Sequence, residues 1–288
     1  MTTRNTAGAG VFFDRGLNGI GFRAPEDLRV VQVEKRLLRL AGPDGLVLVL
    51  SWLPGPVRMS PRKALSLARK AAARRDLCPW PLPEAWRASV PGYRAFGFSQ
   101  GASGPGRGVV LACRDCGGVV LAYFLPASGV CLSEEMICKI LASMSDHPPG
   151  PGTPLALFDI RARVPAGFAL ASARFDAGFF RMAFSRKKDA LFLCRLAPAS
   201  AVLARTGLAN LAQEIFPETA GGSFELSGDG ENACQALIVL PRRLFSPQTR
   251  IACRIWRPVD RNRILGVMLQ SGNPEDEFRF ACSHYEIL

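Results

Sequence analysis

The sequence repeats a series of landmarks after about 140 residues, and this repeat limits the folds available to the chain more than any other feature. Four pairs of positions carry it: Pro25 with Pro165, Pro54 with Pro198, Cys113 with Cys253, and Glu134 with Glu275. Their separations lie between 140 and 144 residues, so one alignment with small insertions accommodates all four. The repeat predicts two tandem copies of one domain, which together imitate a symmetric dimer within one chain.

The chain length and a central segment of proline and glycine both agree with two domains. The chain has 288 residues, of which 48% are apolar, enough for two cores of ordinary size. The segment His147-Pro148-Pro149-Gly150-Pro151-Gly152 breaks both helix and strand. We therefore predict a first domain over 1–147, a linker over 148–153 and a second domain over 154–288.

Each half shows short alternating or apolar runs, a helical segment, further strand-like runs and a closing helix. Ser60-Pro61 marks the start of a helix predicted to reach Asp76, because serine caps helices and proline suits their first position. An ordered loop is expected over 78–91. The order β-β-β-α-β-β-β-α excludes a doubly wound parallel sheet and predicts an α+β fold, with two helices covering an antiparallel sheet.

This order of elements, the Leu53-Pro54 strand end and the closing-helix residues 140–144 resemble the PsbP-like superfamily. That superfamily includes the DcrB-like proteins and the effector chaperones of type VI secretion. The second copy departs from the pattern, since Ala197-Pro198 replaces the Leu-Pro pair. The resemblance implies a non-enzymatic assembly factor or chaperone, and two fused copies would imitate the homodimers with which the effector chaperones hold apolar helices of a client.

Net charge suggests a different partner. The formal charge is +12, of which residues 1–150 carry +8. The helix predicted after Ser60 carries five basic side chains on the face opposite its alanines: Arg62, Lys63, Arg69, Lys70 and Arg74. Such a face could contact phosphate groups, nucleic acid or an acidic partner. A solvated helix face explains the same pattern, and an arginine-rich composition explains the charge.

The segment Cys113-Arg114-Asp115-Cys116-Gly117 has the spacing of a zinc knuckle, in which a turn directs two thiolates at one metal ion. The nearest further thiols are Cys131 and Cys138. The strand predicted over 119–125 carries the chain about 20 Å away from the turn, which places Cys131 at the opposite end. We therefore expect ordinary thiols, with a redox pair or a metal site as alternatives.

Nine cysteines without a secretory signal fit a reducing compartment, so we expect a cytoplasmic protein that does not insert into membranes. Only two histidines occur: His147 opens the Pro-Gly segment between the two predicted domains, and His284 lies at the end of the last helix. No nucleophile elbow, P-loop or metalloprotease motif is present. We therefore expect no enzymatic activity and no cofactor.

The proline-rich loop contains Trp80 and Trp86 and leads to Tyr93. Rigid aromatic side chains of this kind serve as interface anchors or as a lid over the protein's own core. The leading hypothesis is a non-catalytic protein that binds a protein or peptide client through its duplicated domains. Binding of anions or nucleic acid by the basic first domain is the alternative, and thiol or metal chemistry at Cys113 and Cys116 is the third.

Overall fold

The computed structural model describes residues 12–43, 45–53, 58–101, 104–126, 133–147, 150–219, 224–226, 232–240 and 248–288. The chain divides into two compact units, Met1–Pro148 and Pro149–Leu288. Each unit contains an antiparallel sheet with covering helices, and the predicted α+β fold class is confirmed.

The described residues of the first unit form a hairpin, a seven-stranded sheet and three helices. Its strands are β1 (Phe12–Leu17), β2 (Ile20–Pro25), β3 (Arg29–Glu34), β4 (Leu37–Ala41), β5 (Val47–Leu53), β6 (Leu77–Pro79), β7 (Tyr93–Gln100), β8 (Arg107–Cys113) and β9 (Val119–Leu125). Its helices are α1 (Pro61–Ala71), α2 (Glu84–Ala88) and α3 (Glu134–Ala142). Strands β1 and β2 pair with each other, and the sheet order is β3-β4-β5-β9-β8-β7-β6.

The second unit follows the same plan. Its strands are β10 (Thr153–Leu157), β11 (Ile160–Val164), β12 (Ala169–Asp176), β13 (Phe179–Arg186), β14 (Asp189–Leu196), β15 (Glu225–Leu226), β16 (Ala233–Val239), β17 (Arg250–Trp256), β18 (Ile264–Ser271) and β19 (Glu286–Ile287). Its helices are α4 (Ala199–Leu203), α5 (Leu208–Ile215) and α6 (Glu275–Ser283). The sheet order, β12-β13-β14-β18-β17-β16-β15, repeats that of the first unit strand for strand.

Two irregular details also recur. The pairing of β3 with β4 shifts register between Val30 and Gln32, and the pairing of β12 with β13 shifts between Leu170 and Ser172, 140 residues later. Helices α3 and α6 each contain nine residues and begin 141 residues apart. Because a bulge is a local feature that sheet order does not dictate, its recurrence supports the proposal of an internal duplication.

In each unit the main core lies between the seven-stranded sheet and a helix, which is α1 in the first unit and α5 in the second. In the first unit, Ala64 and Ala68 of α1 pack on a cluster that contains Phe98, Leu121 and Tyr123. The corresponding cluster of the second unit gathers side chains of α5 and the sheet, among them Leu211, Ile215, Ile251 and Met268. Alanine side chains are small, so the apolar face of the amphipathic helix α1 can approach the sheet closely.

Helix caps follow the sequence, while some boundaries differ from it. Ser60 Oγ accepts a hydrogen bond from the backbone N–H of Lys63, as expected of an N-cap. Helix α1 ends at Ala71 instead of Asp76, because Ala73 adopts a left-handed conformation with φ of 50°. The loop expected over 78–91 contains the end of β6 and the short helix α2, neither of which the proline content predicted.

Candidate functional site

Four side chains with metal-binding donor atoms meet at one end of the first unit's sheet. Cys113 ends β8 and Cys116 lies in the turn that follows, while Asp146 and His147 follow α3. One donor atom from each of the four lies within 4.8 Å of the others. We call Cys113, Cys116, Asp146 and His147 the thiol-carboxylate-imidazole cluster.

Hydrogen bonds hold each half of this cluster in place. The turn from β8 to β9 closes because Gly118 N–H donates to Cys116 Sγ at 3.1 Å and Cys113 N–H donates to Gly118 O at 2.8 Å. Gly117 occupies a left-handed conformation with φ of 70°, which glycine adopts without strain. The second half is fixed at Ser145, whose backbone exchanges two hydrogen bonds of 2.8 Å with Gly21 of β2.

The distances within the cluster are short. Cys113 Sγ lies 3.4 Å from His147 Nε2, and Cys116 Sγ lies 3.3 Å from Asp146 Oδ2. His147 Nε2 and Asp146 Oδ2 are 3.7 Å apart. The Asp146 side chain is only 9% exposed, whereas that of His147 is 53% exposed, so the cluster is closed on one side and open to solvent on the other.

Tyr93 orients the carboxylate. Its hydroxyl donates a 2.7 Å hydrogen bond to Asp146 Oδ1, which leaves Oδ2 directed at Cys116 and His147. Burial opposes ionisation of Asp146, but hydrogen bonds from Tyr93 and the two cysteines hold its pKa below the ordinary value. Burial, followed by hydrogen bonding to Asp146 and Cys113, raises the pKa of Cys116 to about 11.

The sequence identified half of this cluster. Cys113 and Cys116 lie together as their spacing indicated, but Cys138 lies in α3 outside the cluster, and Cys131 lies outside the described residues. Asp146 and His147 were missed because His147 was interpreted as the start of the Pro-Gly segment between the domains. The one available signal was an adjacent Asp-His pair directly before two prolines, which no local pattern connects with β8.

We call residues 78–91 the aromatic loop. It borders a groove of about 450 Å³ whose lining includes Trp80, Pro83, Arg107, Phe124 and Ile137. Trp80 is partly exposed. It is held edge-on by Trp86, with ring centroids 5.4 Å apart, and the Arg107 guanidinium lies 4.9 Å from its ring centroid. Trp80 is therefore a rigid, accessible aromatic group.

The other two aromatic candidates have different roles. Trp86 is only 3% exposed and packs edge-to-face on Phe124, with centroids 5.6 Å apart. It belongs to the protein's own core and is not accessible as an interface anchor. Of the two roles that the sequence suggested for these aromatic side chains, Trp86 therefore has that of a lid over the core. Tyr93 is also not part of the groove, because its hydroxyl contacts Asp146 of the thiol-carboxylate-imidazole cluster.

The second unit has a groove of its own, with a volume of about 590 Å³. It lies between α6 and strands β16 and β17, and its lining includes Leu237, Arg254, Glu275 and Phe278. Leu237 is 55% exposed and presents an apolar side chain at the wall of the groove. No sequence pattern singled out this groove.

The basic face of α1 is partly occupied by contacts within the protein. Arg69 donates two hydrogen bonds, of 3.0 and 2.7 Å, to the carbonyl oxygen of Leu77, and Arg74 lies 3.3 Å from Asp76. Arg62, Lys63 and Lys70 are exposed. Arg69 therefore fastens α1 to the segment that follows it, whereas Arg74, predicted to lie on the helix, comes after its end at Ala71 and pairs within that segment.

No family model and no curated protein matches the sequence. Solved structures do match in fold. The Ran-binding protein Mog1p of Saccharomyces cerevisiae is 9% identical with a TM-score of 0.33, and a Mog1 mutant is 11% identical with the same TM-score; each match spans 48% of this chain and 96% of the other. A structure from Bacteroides thetaiotaomicron is 11% identical with a TM-score of 0.30, over 54% of this chain and 53% of the other.

At these identities and TM-scores the likeness concerns parts of the fold alone, and the α+β class of this chain rests on its own sheets and helices. The tandem arrangement is a proposal that rests on the sheet order and the register shift that recur within the chain itself. Within the described parts of the chain, none of the helices has the length and apolar character needed to cross a bilayer.

Proposed function

We propose that this chain is a non-catalytic protein that binds a protein or peptide client in two corresponding grooves, one in each unit. The observation that carries the proposal is the match between the grooves. Glu134 and Ile137 of α3 line the first groove, and Glu275 and Phe278 of α6 line the second. These residues occupy the same positions in two nine-residue helices.

The chemistry of the first groove defines its occupant. Trp80 offers a flat apolar surface whose orientation is already fixed by Trp86 and Arg107, so a client loses little free energy in ordering it. Among the described residues, Arg107 makes no ion pair with an acidic group. The occupant is therefore an extended peptide with an apolar or proline side chain beside a carboxylate.

The second groove offers a larger apolar surface. Leu237 is more than half exposed at its wall, and Phe278 lies opposite on α6. The Glu275 carboxylate is held 2.9 Å from Arg250 and does not need a cation from the client. Apolar side chains of a client are the natural occupants of this groove, in keeping with a protein that shields the apolar residues of another chain.

The experiment is selection of a random peptide library displayed on phage against the full chain, followed by measurement of the selected peptides in solution. We expect an apolar residue next to Asp or Glu to recur among peptides for the first groove. Trp80→Ala should weaken those peptides at least about 30-fold, which corresponds to a loss of about 2 kcal/mol at an interface anchor. Arg107→Gln should reduce the dependence of binding on salt.

Val259→Ala is the matched control, because Val259 is 77% exposed and lies in neither groove. Peptides whose affinity is the same for wild type, Trp80→Ala and Phe278→Ala would contradict client binding in the grooves.

The nucleic-acid alternative is tested with a short RNA and a short DNA by fluorescence anisotropy at about 50 and 200 mM salt. Specific loss of that binding in Arg62→Gln/Lys63→Gln/Lys70→Gln would favour α1 as the interface.

A further inference from the structure

We propose that Cys113, Cys116, Asp146 and His147 bind one zinc ion. The two thiols, one carboxylate oxygen and one imidazole nitrogen already lie within 4.8 Å of one another. This donor set is typical of zinc, which prefers sulfur and nitrogen ligands and accepts carboxylate oxygen in four-coordinate sites.

Half of the distances between donor atoms already match those of a tetrahedral zinc site. With zinc–sulfur bonds of about 2.3 Å and zinc–nitrogen or zinc–oxygen bonds of about 2.0 Å, neighbouring donor atoms of a tetrahedral site lie roughly 3.3 to 3.8 Å apart. The three recorded separations are 3.4 Å from Cys113 Sγ to His147 Nε2, 3.3 Å from Cys116 Sγ to Asp146 Oδ2, and 3.7 Å from His147 Nε2 to Asp146 Oδ2. These three of the six separations fall in that range, and the other three are no longer than 4.8 Å, so the donors must close in by at most about 1 to 1.5 Å to hold the ion.

Groups around the cluster hold the donors in the orientation that a metal needs. Tyr93 binds Asp146 Oδ1 and thereby leaves Oδ2, the oxygen nearest to Cys116, as the ligand atom. The Gly118 N–H that points at Cys116 Sγ stabilises negative charge on that sulfur. Hydrogen bonds of this kind to metal ligands raise affinity because they fix ligand geometry in advance.

Four protein ligands complete the coordination of zinc, so the site is structural in type and has no open position for a substrate. The ion would fasten the residues after α3 to the turn between β8 and β9, which closes a long loop of the first unit. Exposed His147 and Cys116 leave a path by which the ion enters. The second unit has Trp256 three residues after Cys253, where the first has its second thiol, so we expect one zinc per chain.

The test begins with the full chain purified under reducing conditions, stripped with a chelator and titrated with Zn²⁺ or Co²⁺. We expect one equivalent of either ion to bind. The cobalt form should show the intense visible bands of tetrahedral Co²⁺ and a thiolate-to-cobalt charge-transfer band. This measurement on the unmodified chain does not depend on any variant folding correctly.

Variants then assign the ligands. Cys113→Ser, Cys116→Ser, Asp146→Asn and His147→Gln should each lose stoichiometric zinc in competition with a chelator. Tyr93→Phe keeps all four ligands and should weaken zinc about 10-fold, the lower end of the effect of lost outer hydrogen bonds. Cys138→Ser and His284→Gln change the same residue types outside the cluster and should bind zinc like the unmodified chain.

Two results would overturn the proposal. One is a reduced chain that takes up no zinc at micromolar concentration, whether or not Cys113 and Cys116 form a disulfide when oxidised. The other is zinc bound without tetrahedral cobalt bands and weakened equally by Cys113→Ser and Cys138→Ser. Retention of zinc by Trp80→Ala would show that the metal site and the client grooves are independent.

Discussion

His147 Nε2 lies 3.4 Å from Cys113 Sγ, although the two residues are 34 positions apart in the chain. Strand β9 first leaves the turn that contains Cys116, and the chain returns through α3 to Ser145, which pairs with Gly21. The cluster therefore depends on a contact between β2 and the segment after α3, and not on a local motif.

This geometry predicts that zinc stabilises the first unit. A ligand that binds only the folded state at 100 times its dissociation constant adds about 2.7 kcal/mol to the free energy of unfolding. Scanning calorimetry with zinc and with a chelator should therefore show one of the chain's transitions moving to higher temperature in zinc. The Cys113→Ser variant should show no such shift, and an equal shift in this variant would contradict the prediction.

Part of this molecule could be predicted from sequence because its signals are local. The α+β class follows from the alternation of apolar runs and helix caps, and Ser60 caps α1 as expected. The pairing of Asp146 and His147 with Cys113 could not be predicted, because it depends on long-range sheet order. Helix α2 was missed because four prolines surround a five-residue helix that depends on burial of Trp86.

Substitution of Gly97 should disturb the aromatic loop. The backbone of Trp80 approaches β7 so closely that a Cβ on Gly97 would overlap the carbonyl oxygen of Trp80, while Trp80 N–H donates to Gly97 O at 3.1 Å. We expect Gly97→Ala to lower the free energy of unfolding by about 1–3 kcal/mol, as overpacking does. Urea unfolding followed by tryptophan fluorescence measures this. Gly92→Ala is the control, because a Cβ there meets no atom within 4 Å, and an equal loss in both variants would contradict the steric explanation.

Trp86 and Trp80 should differ in their contribution to stability. Trp86 is buried between Trp80 and Phe124, so Trp86→Ala leaves a large cavity and should cost about 3–5 kcal/mol. Trp80 is partly exposed and its truncation removes less buried surface, so a cost below about 2 kcal/mol is expected. Chemical denaturation of the two variants decides this, and equal costs would show that Trp80 is also a core residue.

In the second unit, Asp159 should be important for stability at neutral pH. Its carboxylate forms ion pairs with Arg195 and Arg263, and the Arg195 side chain is only 9% exposed. Asp159→Asn leaves that guanidinium without its counter-charge. Because Asp159 itself is 27% exposed, we expect a loss of about 2 kcal/mol, less than for a fully buried pair.

Acid should produce the same loss in the unmodified chain. Burial opposes the ionisation of Asp159, but hydrogen bonds from both arginines hold its pKa below the ordinary value of 3.8. The stability it contributes is therefore present above that value and is lost as the pH falls through the lower pKa of the folded state. Asp176→Asn removes an exposed partner of Arg174 and should cost less than about 0.5 kcal/mol. Equal losses of stability in Asp159→Asn and Asp176→Asn would contradict the role of burial.

Alkaline pH should destabilise the second unit. Burial raises the pKa of Cys194 and of Cys282 to about 12, from an ordinary value of 9.0, and raises that of Tyr285 well above 10.0. Between the unfolded and folded pKa values, the folded state holds protons that the unfolded chain has released. The free energy of unfolding therefore falls as the pH rises above about 9, by up to about 1.4 kcal/mol per pH unit for each group.

Urea unfolding at a series of pH values from 8 to about 11, followed by circular dichroism, measures this slope. Cys194→Ala removes one of the groups, so the free energy of unfolding should decline less steeply above about pH 9. Cys116→Ser changes a thiol of the first unit and is the control, because it should leave the transition of the second unit unchanged. Tyr285→Phe removes the hydroxyl that donates a 2.9 Å hydrogen bond to Cys194 O, so it should cost about 1 kcal/mol at neutral pH and also reduce the slope above pH 10. A second unit whose stability does not change between pH 8 and 11 would show that these thiols and the phenol ionise without unfolding, and hence that they are open to water.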